Sequence, residues 1–447
     1  MSELSRPAKK LLILSPFVLS LLVIVGFWWT GSSSLLTTSF SSACICLGRL
    51  SGLLLVYTIM VQFLLMGRTA WIEKTFGLDK LSQLHAVNGF ATLIFLVLHP
   101  TLLIIGYASL TRSNVVEQFL TFMTTYEGVF LASVAFLLLI VVILLSMSIV
   151  RKRLNYEFWY FAHLFTYLAV ILAWGHQLAV GEDFGTRHVF VVFWYFLYTA
   201  VFGNFIFFRF LKPLYQSFTQ QFVIENIVKE NDQVLSLLIG GKKLERLHIQ
   251  AGQFVMVRFL AKNLWWESHP FSVSKLPDGK NFRISIKQLG DFTRKLTRLS
   301  IGTTVIVEGP FGIFTPAEIS QPKVLCIAGG IGITPIRALV EHCTQAKKNT
   351  VLLYSNSLPS EIVFQEELAQ LAAHSSFTVH YVISQDPKYA GEKGRIDQRK
   401  IFKLVPDFKE RDIYICGPWP MTKALISLLT ALGVPRQQLH FEKFALG

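Results

Sequence analysis

Six apolar runs of about 20 residues, the length that crosses a hydrocarbon core roughly 30 Å thick, begin near Leu11, Ala43, Leu84, Gly128, Phe158 and Val189. They predict six transmembrane helices ending near Leu211. The first run is too long for a signal-peptide core and has no small-residue cleavage site before Gly31, so it is expected to be retained. Basic residues mark alternate connections. Lys9 and Lys10, then Arg68, Lys74 and Lys80, then Arg151, Lys152 and Arg153, then Arg209 and Lys212 fall on one side. The positive-inside rule makes that side cytosolic, with both chain ends on it. Segments 31–40, 107–126 and 181–188 then face outward, the first without a charge.

After Pro213 the pattern shortens to alternating strands at 222–228, 233–239, 253–259 and 282–286, separated by Gly, Pro and Asn, as in a small antiparallel barrel. From Lys323 on, β-branched runs at 324–328, 351–354, 378–383 and 412–416 alternate with helical patterns, the texture of parallel α/β units. Residues 313–322 form the expected boundary. The domains are therefore read as 1–212, 213–318 and 319–447, and the fold class as a multidomain membrane protein: an all-α six-helix bundle, an antiparallel β-barrel and an α/β nucleotide-binding domain.

Composition agrees with this division. Over 447 residues, 52% are hydrophobic, and the mean hydropathy is +0.48, too apolar for a wholly soluble chain. Lys and Arg number 42 against 28 Asp and Glu, a formal +14. Because these bases flank apolar spans, the excess reads as a basic cytosolic face and not as a nucleic-acid surface. The five cysteines have no metal-finger spacing and are expected to be reduced thiols, with a Cys44–Cys46 link disfavoured.

Four histidines change the picture. The third span carries His85 and His99, 14 positions apart, and the fifth carries His163 and His176, 13 apart. At about 100° per residue, 14 steps return to within about 40° of the starting face and rise about 21 Å. The 13-residue pair falls about 140° out of phase, which predicts a distorted fifth helix, through a π-bulge or near Gly175. The two spans run in the same direction, so His85 pairs with His163 near the cytosol and His99 with His176 near the outside. Intramembrane ionisable groups cost a few kcal/mol unless paired, and neutral imidazole is an axial haem ligand. Two stacked bis-histidine haems are the expectation, with Arg49 reaching a propionate of the outer one or snorkelling to the outer headgroups.

The soluble half carries three ordered glycine and aromatic segments. His269-Pro270-Phe271-Ser272 supplies an aromatic face beside a hydroxyl, as flavin sites require. Gly290-Asp291-Phe292-Thr293 precedes a predicted helix at 294–299 and offers N–H groups and a threonine to a pyrophosphate. Gly309-Pro310-Phe311-Gly312 follows. The strand 324–328 then runs into Gly329-Gly330-Ile331-Gly332-Ile333-Thr334, where glycines let a dinucleotide phosphate approach the backbone of a helix start. Cys416-Gly417-Pro418 ends another predicted strand, with Cys416 placed near a nicotinamide.

This order of motifs resembles the ferric reductase and NADPH oxidase superfamily over nearly the whole chain. The resemblance implies haem ligation by His85, His99, His163 and His176, and FAD contacts from His269, Pro270, Phe271 and Ser272, with Gly290 and Thr293 at its phosphates. It further implies NADPH or NADH contacts from Gly329, Gly330, Gly332, Thr334, Cys416, Gly417 and Pro418, and a flavin-covering aromatic, Phe444. Relatives often grip a 2′-phosphate just after the strand at 351–354. Here Ser355-Asn356-Ser357 has no arginine, so Ser355 or Arg395 would have to serve. The expected activity is transfer of electrons from cytosolic NAD(P)H through FAD and two b-type haems to an outer acceptor. Dioxygen giving superoxide is preferred, because the outer segments offer no carboxylate or histidine cluster for a metal chelate. A ferric chelate is the alternative, and a haem-free redox-sensing transporter is a more distant one. The compact design suits a bacterial inner membrane.

Overall fold

The structure, a computed structural model, describes residues 6–180, 188–373 and 376–442. The expected flavin cover, Phe444, lies outside them. The chain divides into two compact units: residues 1–69 with 80–207, and residues 70–79 with 208–447.

The first unit contains six helices long and apolar enough to cross a membrane. They are α1 (Arg6–Ser32), α2 (Phe40–Met66), α4 (Leu78–Thr111), α6 (Val129–Ser146), α7 (Tyr156–Val180) and α8 (His188–Ile206). The shorter α3 (Ala70–Phe76) and α5 (Val115–Thr125) connect α2 to α4 and α4 to α6. Large apolar side chains such as Leu19, Val87, Phe90, Ile171 and Val192 point outward, a surface that lipid accepts and water does not. Helices α2 and α4 meet through glycines, as membrane helices do when backbones must come close. A Cβ on Gly48 would lie 2.8 Å from Leu103 Cδ2, and one on Gly106 would lie 2.7 Å from Ile45 Cγ1. Asn88 Nδ2 donates to the Thr58 carbonyl at 2.8 Å across the same seam. All five cysteines are free and buried.

The second unit has two lobes. The first is a six-stranded antiparallel sheet of β1 (Val223–Lys229), β2 (Val234–Gly240), β3 (Phe254–Phe259), β4 (His269–Lys275), β5 (Asn281–Lys287) and β6 (Val305–Phe311), in the order β1-β2-β5-β4-β3-β6. It curls until a bridge between Val223 and Thr304 links its two edges. Alternate residues such as Leu237, Ile239, Val255, Val257, Phe282 and Ile284 fill its interior. The second lobe is a parallel sheet of β7 (Lys323–Gly329), β8 (Asn349–Asn356), β9 (Phe377–Ile383), β10 (Glu392–Lys393), β11 (Arg411–Cys416) and β12 (Leu439–Phe441), ordered β10-β9-β8-β7-β11-β12. Its helices include α11 (Ile333–Gln345), α12 (Gln365–Ala373) and α13 (Trp419–Ala431). Two more helices belong to this unit: α9 (Lys212–Gln220), and α10 (Asp291–Lys295) of the barrel lobe.

Helix α3 also packs in the second unit, although it lies in sequence between two membrane helices. Its Glu73, fully buried, accepts from Gly312 N at 2.7 Å, and Leu78 joins Phe254, Met256 and Phe311 in a small core.

Candidate functional site

The four intramembrane histidines form two pairs. Ring centroids are 6.0 Å apart for His85 and His163, and 6.4 Å apart for His99 and His176. Two imidazoles that bind one iron from opposite faces through bonds of about 2 Å have centroids about 6 Å apart. Both pairs therefore have the spacing a shared iron requires. Among the described residues no group of three or more His, Cys, Asp or Glu could hold a metal ion.

The expected distortion of the fifth membrane helix is not found. Helix α7 is α-helical throughout Tyr156–Val180, and the π-turn nearby, Phe207–Leu211, follows α8. A phase difference of about 140° splits into about 70° on either side of the line toward α4, and an imidazole on each flank can lean across that angle.

The second ring nitrogen of three histidines is fixed. His99 Nδ1 lies 2.9 Å from the Gly48 carbonyl, and His176 Nδ1 lies 2.6 Å from the Ala173 carbonyl. A carbonyl only accepts, so Nδ1 carries the proton and Nε2 keeps the lone pair that ligates metals. His163 Nδ1 lies 3.1 Å from Ser146 Oγ, whose own hydrogen goes to the Val142 carbonyl at 2.7 Å. That hydroxyl therefore accepts from His163 and also from Trp159 Nε1, at 3.1 Å. His85 Nδ1 is buried without a partner.

Glycines make room for the upper pair. A Cβ on Gly52 would lie 2.6 Å from His99 Nδ1, and one on Gly128 would lie 2.8 Å from His176 N. Arg49, half-buried, follows Gly48 and so begins at the depth of the His99–His176 pair.

In the second unit, β4 carries His269, Pro270, Phe271 and Ser272, all half-buried beside buried strands. The His269 ring stacks on Phe292 at 3.7 Å, and its Nε2 lies 3.0 Å from Glu267 Oε2, so the first two soluble motifs meet. Phe271 packs on the barrel interior with Val273. By strand alternation Pro270 and Ser272 share the other face with Ser274. Gly290 and Thr293 form a closed turn. Thr293 Oγ1 accepts from Leu289 N at 2.9 Å and Gly290 N at 3.0 Å and donates to the Gly290 carbonyl. The helix after it starts at Asp291, earlier than the pattern predicts, because this cap is already in place.

Strands β7 and β11 are neighbours with Ala328 opposite Cys416, which brings the two nucleotide motifs to one sheet end. There is no space for a Cβ between them. One on Gly332 would meet the Cys416 carbonyl, and one on Gly329 would lie 3.1 Å from Pro418 Cδ. Gly417 is equally tight, 3.1 Å from Gly329 Cα, whereas Gly330 at φ +52° faces open space. Thr334 Oγ1 donates to the Ile331 carbonyl at 3.0 Å. Burial, with Glu442 nearby, pushes the Cys416 thiol up, so it stays protonated. Glu442 is itself raised by burial to about 8 and accepts from Ile313 N.

A small cleft opens beside Gly330, lined also by Lys287, Asn356 and Glu361. The Asn356 amide is buried there with neither polar atom bonded, and Glu361 Oε2 accepts from Ser357 N at 3.3 Å. Arg395 is exposed beyond β10 and does not line this cleft. Sequence reading missed Asn356, Glu361 and Glu442. An acid just past the second strand of a nucleotide fold was the available signal for Glu361.

Three family models match the chain in order: a ferric reductase like transmembrane component over residues 51–174, a FAD-binding domain over 219–315 and an oxidoreductase NAD-binding domain over 326–426. The chain is similar to the glycine betaine monooxygenase reductase subunit of Pseudomonas aeruginosa strain UCBPP-PA14, 31% identical over 173 residues, which cover 37% of this chain and 47% of that protein. It is also similar to a flavohemoprotein of Burkholderia sp. strain TH2, 27% identical over 237 residues, 51% of this chain and 59% of that one. The chain spans about half the length of these curated relatives. Among solved structures it is similar to the flavohem-like FAD/NAD binding domain of nitric oxide dioxygenase from Vibrio cholerae O1 biovar El Tor. That match has a TM-score of 0.46 and 24% identity, over 50% of this chain and 97% of that one. A ferric reductase-like membrane component followed by FAD- and NAD-binding domains is the architecture of the ferric reductase and NADPH oxidase superfamily, and the chain has that architecture.

Proposed function

We propose that this chain carries electrons from cytosolic NAD(P)H, through FAD and two b-type haems, to dioxygen at the outer face of the plasma membrane, with both termini cytosolic. The net reaction is NAD(P)H plus two O2 giving NAD(P)+, two superoxide ions and one proton. The observation that supports it most is the pair of imidazole couples, 6.0 and 6.4 Å between ring centres, on α4 and α7. Bound flavin accepts a hydride and releases single electrons, and haem iron carries one at a time.

In this reading His85 and His163 hold the inner haem and His99 and His176 the outer one, with Arg49 at a propionate. The carbonyls of Gly48 and Ala173 and the Ser146 hydroxyl orient the ligands. Pro270 and Ser272 present the flavin face, His269 and Phe271 brace the strand from behind, and Gly290 and Thr293 shape the phosphate turn. Gly329, Gly330, Gly332 and Thr334 seat the nucleotide pyrophosphate. Cys416, Gly417 and Pro418 form the wall at its nicotinamide end, where a protonated thiol adds no charge against the transferred hydride. Phe444 covers the flavin between turnovers.

The description of the membrane family model favours ferric chelate as a second acceptor. The purified chain in detergent should show a bis-histidine haem spectrum on reduction by NADH or NADPH. It should also reduce cytochrome c in a way that superoxide dismutase inhibits. Iron reduction under nitrogen without superoxide in air would reverse the choice of acceptor, and a preparation without haem bands would end the proposal.

A further inference from the structure

The barrel lobe of the second unit has its own core, and the core of the nucleotide lobe reaches across to take in Val234, Ala251 and Phe314 from the barrel side. Apolar contact is non-directional, whereas charge-assisted hydrogen bonds add geometric specificity to it. Three charged side chains supply these. Arg283 on β5 grips Glu367 on α12 with both arms, Nη1 to Oε1 at 2.6 Å and Nη2 to Oε2 at 2.9 Å. Arg337 on α11 donates Nε to Glu367 Oε2 at 2.8 Å. The Arg283 guanidinium also lies 4.4 Å over the Phe364 ring.

Both arginines converge on one residue of β4. Arg283 Nε donates to Ser274 Oγ at 3.1 Å, and Arg337 Nη1 donates to the Ser274 carbonyl at 3.2 Å. Ser274 Oγ continues to Ser285 Oγ at 2.9 Å and from there to Ser236 Oγ at 2.6 Å. Glu341 and Glu230 complete the cluster beside Arg337 and Arg283. Ser274 lies two residues beyond Ser272 on the candidate flavin strand, and Arg337 lies three residues beyond Thr334 on the helix that follows the nucleotide turn. One strand step and one helical turn therefore connect the cluster to the two candidate ligand sites.

We propose that Arg283, Glu367 and Arg337 are positioning residues that hold the nucleotide turn at a fixed distance from the flavin strand, and so set the gap across which hydride passes. This rests on the electron-transfer reading above. Stability alone is a poor explanation for the cluster, because a buried ion network is often no more stabilising than apolar packing of the same shape. Burial alone would push the Glu367 carboxyl up, but hydrogen bonds and charge from Arg283 and Arg337 outweigh it and hold it below the usual glutamate range. Glu367 is thus charged at any working pH, and Glu367→Gln removes one full charge at nearly constant volume.

The test uses the full-length protein, FAD-loaded in detergent, as wild type, Glu367→Gln, Arg337→Lys and Arg337→Met. Stopped-flow bleaching of the flavin at saturating NADH reads hydride transfer, and titration with NAD+ reads affinity. Spin labels at Lys262→Cys on the barrel and Lys423→Cys on α13, both exposed positions, read the inter-lobe distance distribution without turnover. A misplacement of about 1 Å can cost about a hundredfold in rate. We expect Glu367→Gln and Arg337→Met to slow bleaching about tenfold to a hundredfold, to change NAD+ affinity less than about threefold and to broaden the distance distribution. Arg337→Lys, which keeps the charge but not the fork, should fall between. An unchanged distance distribution with an unchanged rate overturns the proposal, and so does a loss confined to affinity. If wild type fails to bleach with NADH, the electron-transfer reading falls, while the distance measurement still decides whether the cluster positions the lobes.

Discussion

Replacing Gly52 by alanine tests the paired-histidine arrangement where it has least slack. A Cβ at this position lies 2.6 Å from His99 Nδ1 and 2.7 Å from Cε1, whereas non-bonded heavy atoms rest about 3.5 to 4.0 Å apart. The ring must retreat by about 1 Å, or α2 and α4 must separate by as much. Either movement acts on the bond from Nδ1 to the Gly48 carbonyl, now 2.9 Å, and carries it beyond the roughly 3.2 Å range of a good N–H···O bond. It also moves one member of a ring pair 6.4 Å apart by several times the ±0.2 Å or so that metal–ligand distances tolerate. Overpacking of this kind costs about 1–3 kcal/mol, or about one to two powers of ten in affinity for the group held there. The other pair is remote. His85 lies about 21 Å along α4 from His99, and the α2 residue that meets it is Gln62, whose Nε2 donates to the His85 carbonyl at 3.1 Å. With two haems bound as proposed, Gly52→Ala should therefore lower the haem-to-protein ratio in a pyridine haemochromogen assay from two toward one. The remaining haem should still be reduced by NADH while output at the outer face stops. Retention of two haems with an unchanged difference spectrum would refute the reasoning, and equal loss of both would refute the assignment of Gly52 to one pair.

Ser146→Ala removes the acceptor shared by His163 Nδ1 and Trp159 Nε1, both half-buried, and so releases the orientation of the His163 ring. In a redox titration it should shift one haem potential and leave the other in place, and two unshifted potentials would contradict the role given to Ser146. Glu361 lines the cleft beside Gly330, past the end of β8; with the nucleotide seated there as proposed, it would accept from a ribose hydroxyl but repel a 2′-phosphate by about 1–4 kcal/mol. NADH should therefore be preferred over NADPH, and Glu361→Gln should shift the ratio of kcat/KM values toward NADPH by about tenfold or more. A wild-type preference for NADPH would show that another group reads this position. Burial raises Glu73 to about 7 and Glu442 to about 8, so the folded chain binds these protons more tightly than the unfolded one. Their contribution to stability is complete below the usual glutamate range of about 4.3 and is lost as pH rises through those two values. Thermal unfolding of the reductase unit should accordingly lose stability from pH 5 to pH 9. The double variant Glu73→Gln, Glu442→Gln should flatten that slope, and an identical slope in the variant would exclude these two groups as its source.

What could be read without a structure follows from how local the physics is. A 20-residue apolar run has one stable use, so all six membrane helices were legible, yet the third was expected near Leu84 and begins at Leu78. Its first turn carries Asp79 and Lys80, which hydropathy excludes and helix formation does not. The glycine turns after β7 and β11 were legible one at a time as strand-to-helix bends. Their fit against each other was not, because β7 and β11 are neighbours only after the sheet has formed. Thr293 has the residue type of a phosphate contact, but its hydroxyl is engaged by the turn it caps. Phe271 belongs to an aromatic motif, but the period of two turns its ring into the barrel. Glu73 could only be read as a solvated charge between two apolar spans, and its burial depends on Gly312, 239 residues away.

The histidines show how a local rule can predict which residues pair for a reason that is too narrow. A spacing of 13 predicts a distorted helix only when both ligands must share one face. That condition fits a helix that meets its partner edge-on along a single line. Here α7 remains regular, and both of its rings still pair with rings of α4, at 6.0 and 6.4 Å between centroids. The accommodation is made by the surrounding helices instead. Gly52 on α2 and Gly128 ahead of α6 give up their side chains where His99 and His176 would otherwise collide, and the Gly48 and Ala173 carbonyls orient the rings that result. For the His99–His176 pair, glycines beside the ligand-bearing helices, not strain within them, are therefore what leaves room for both rings.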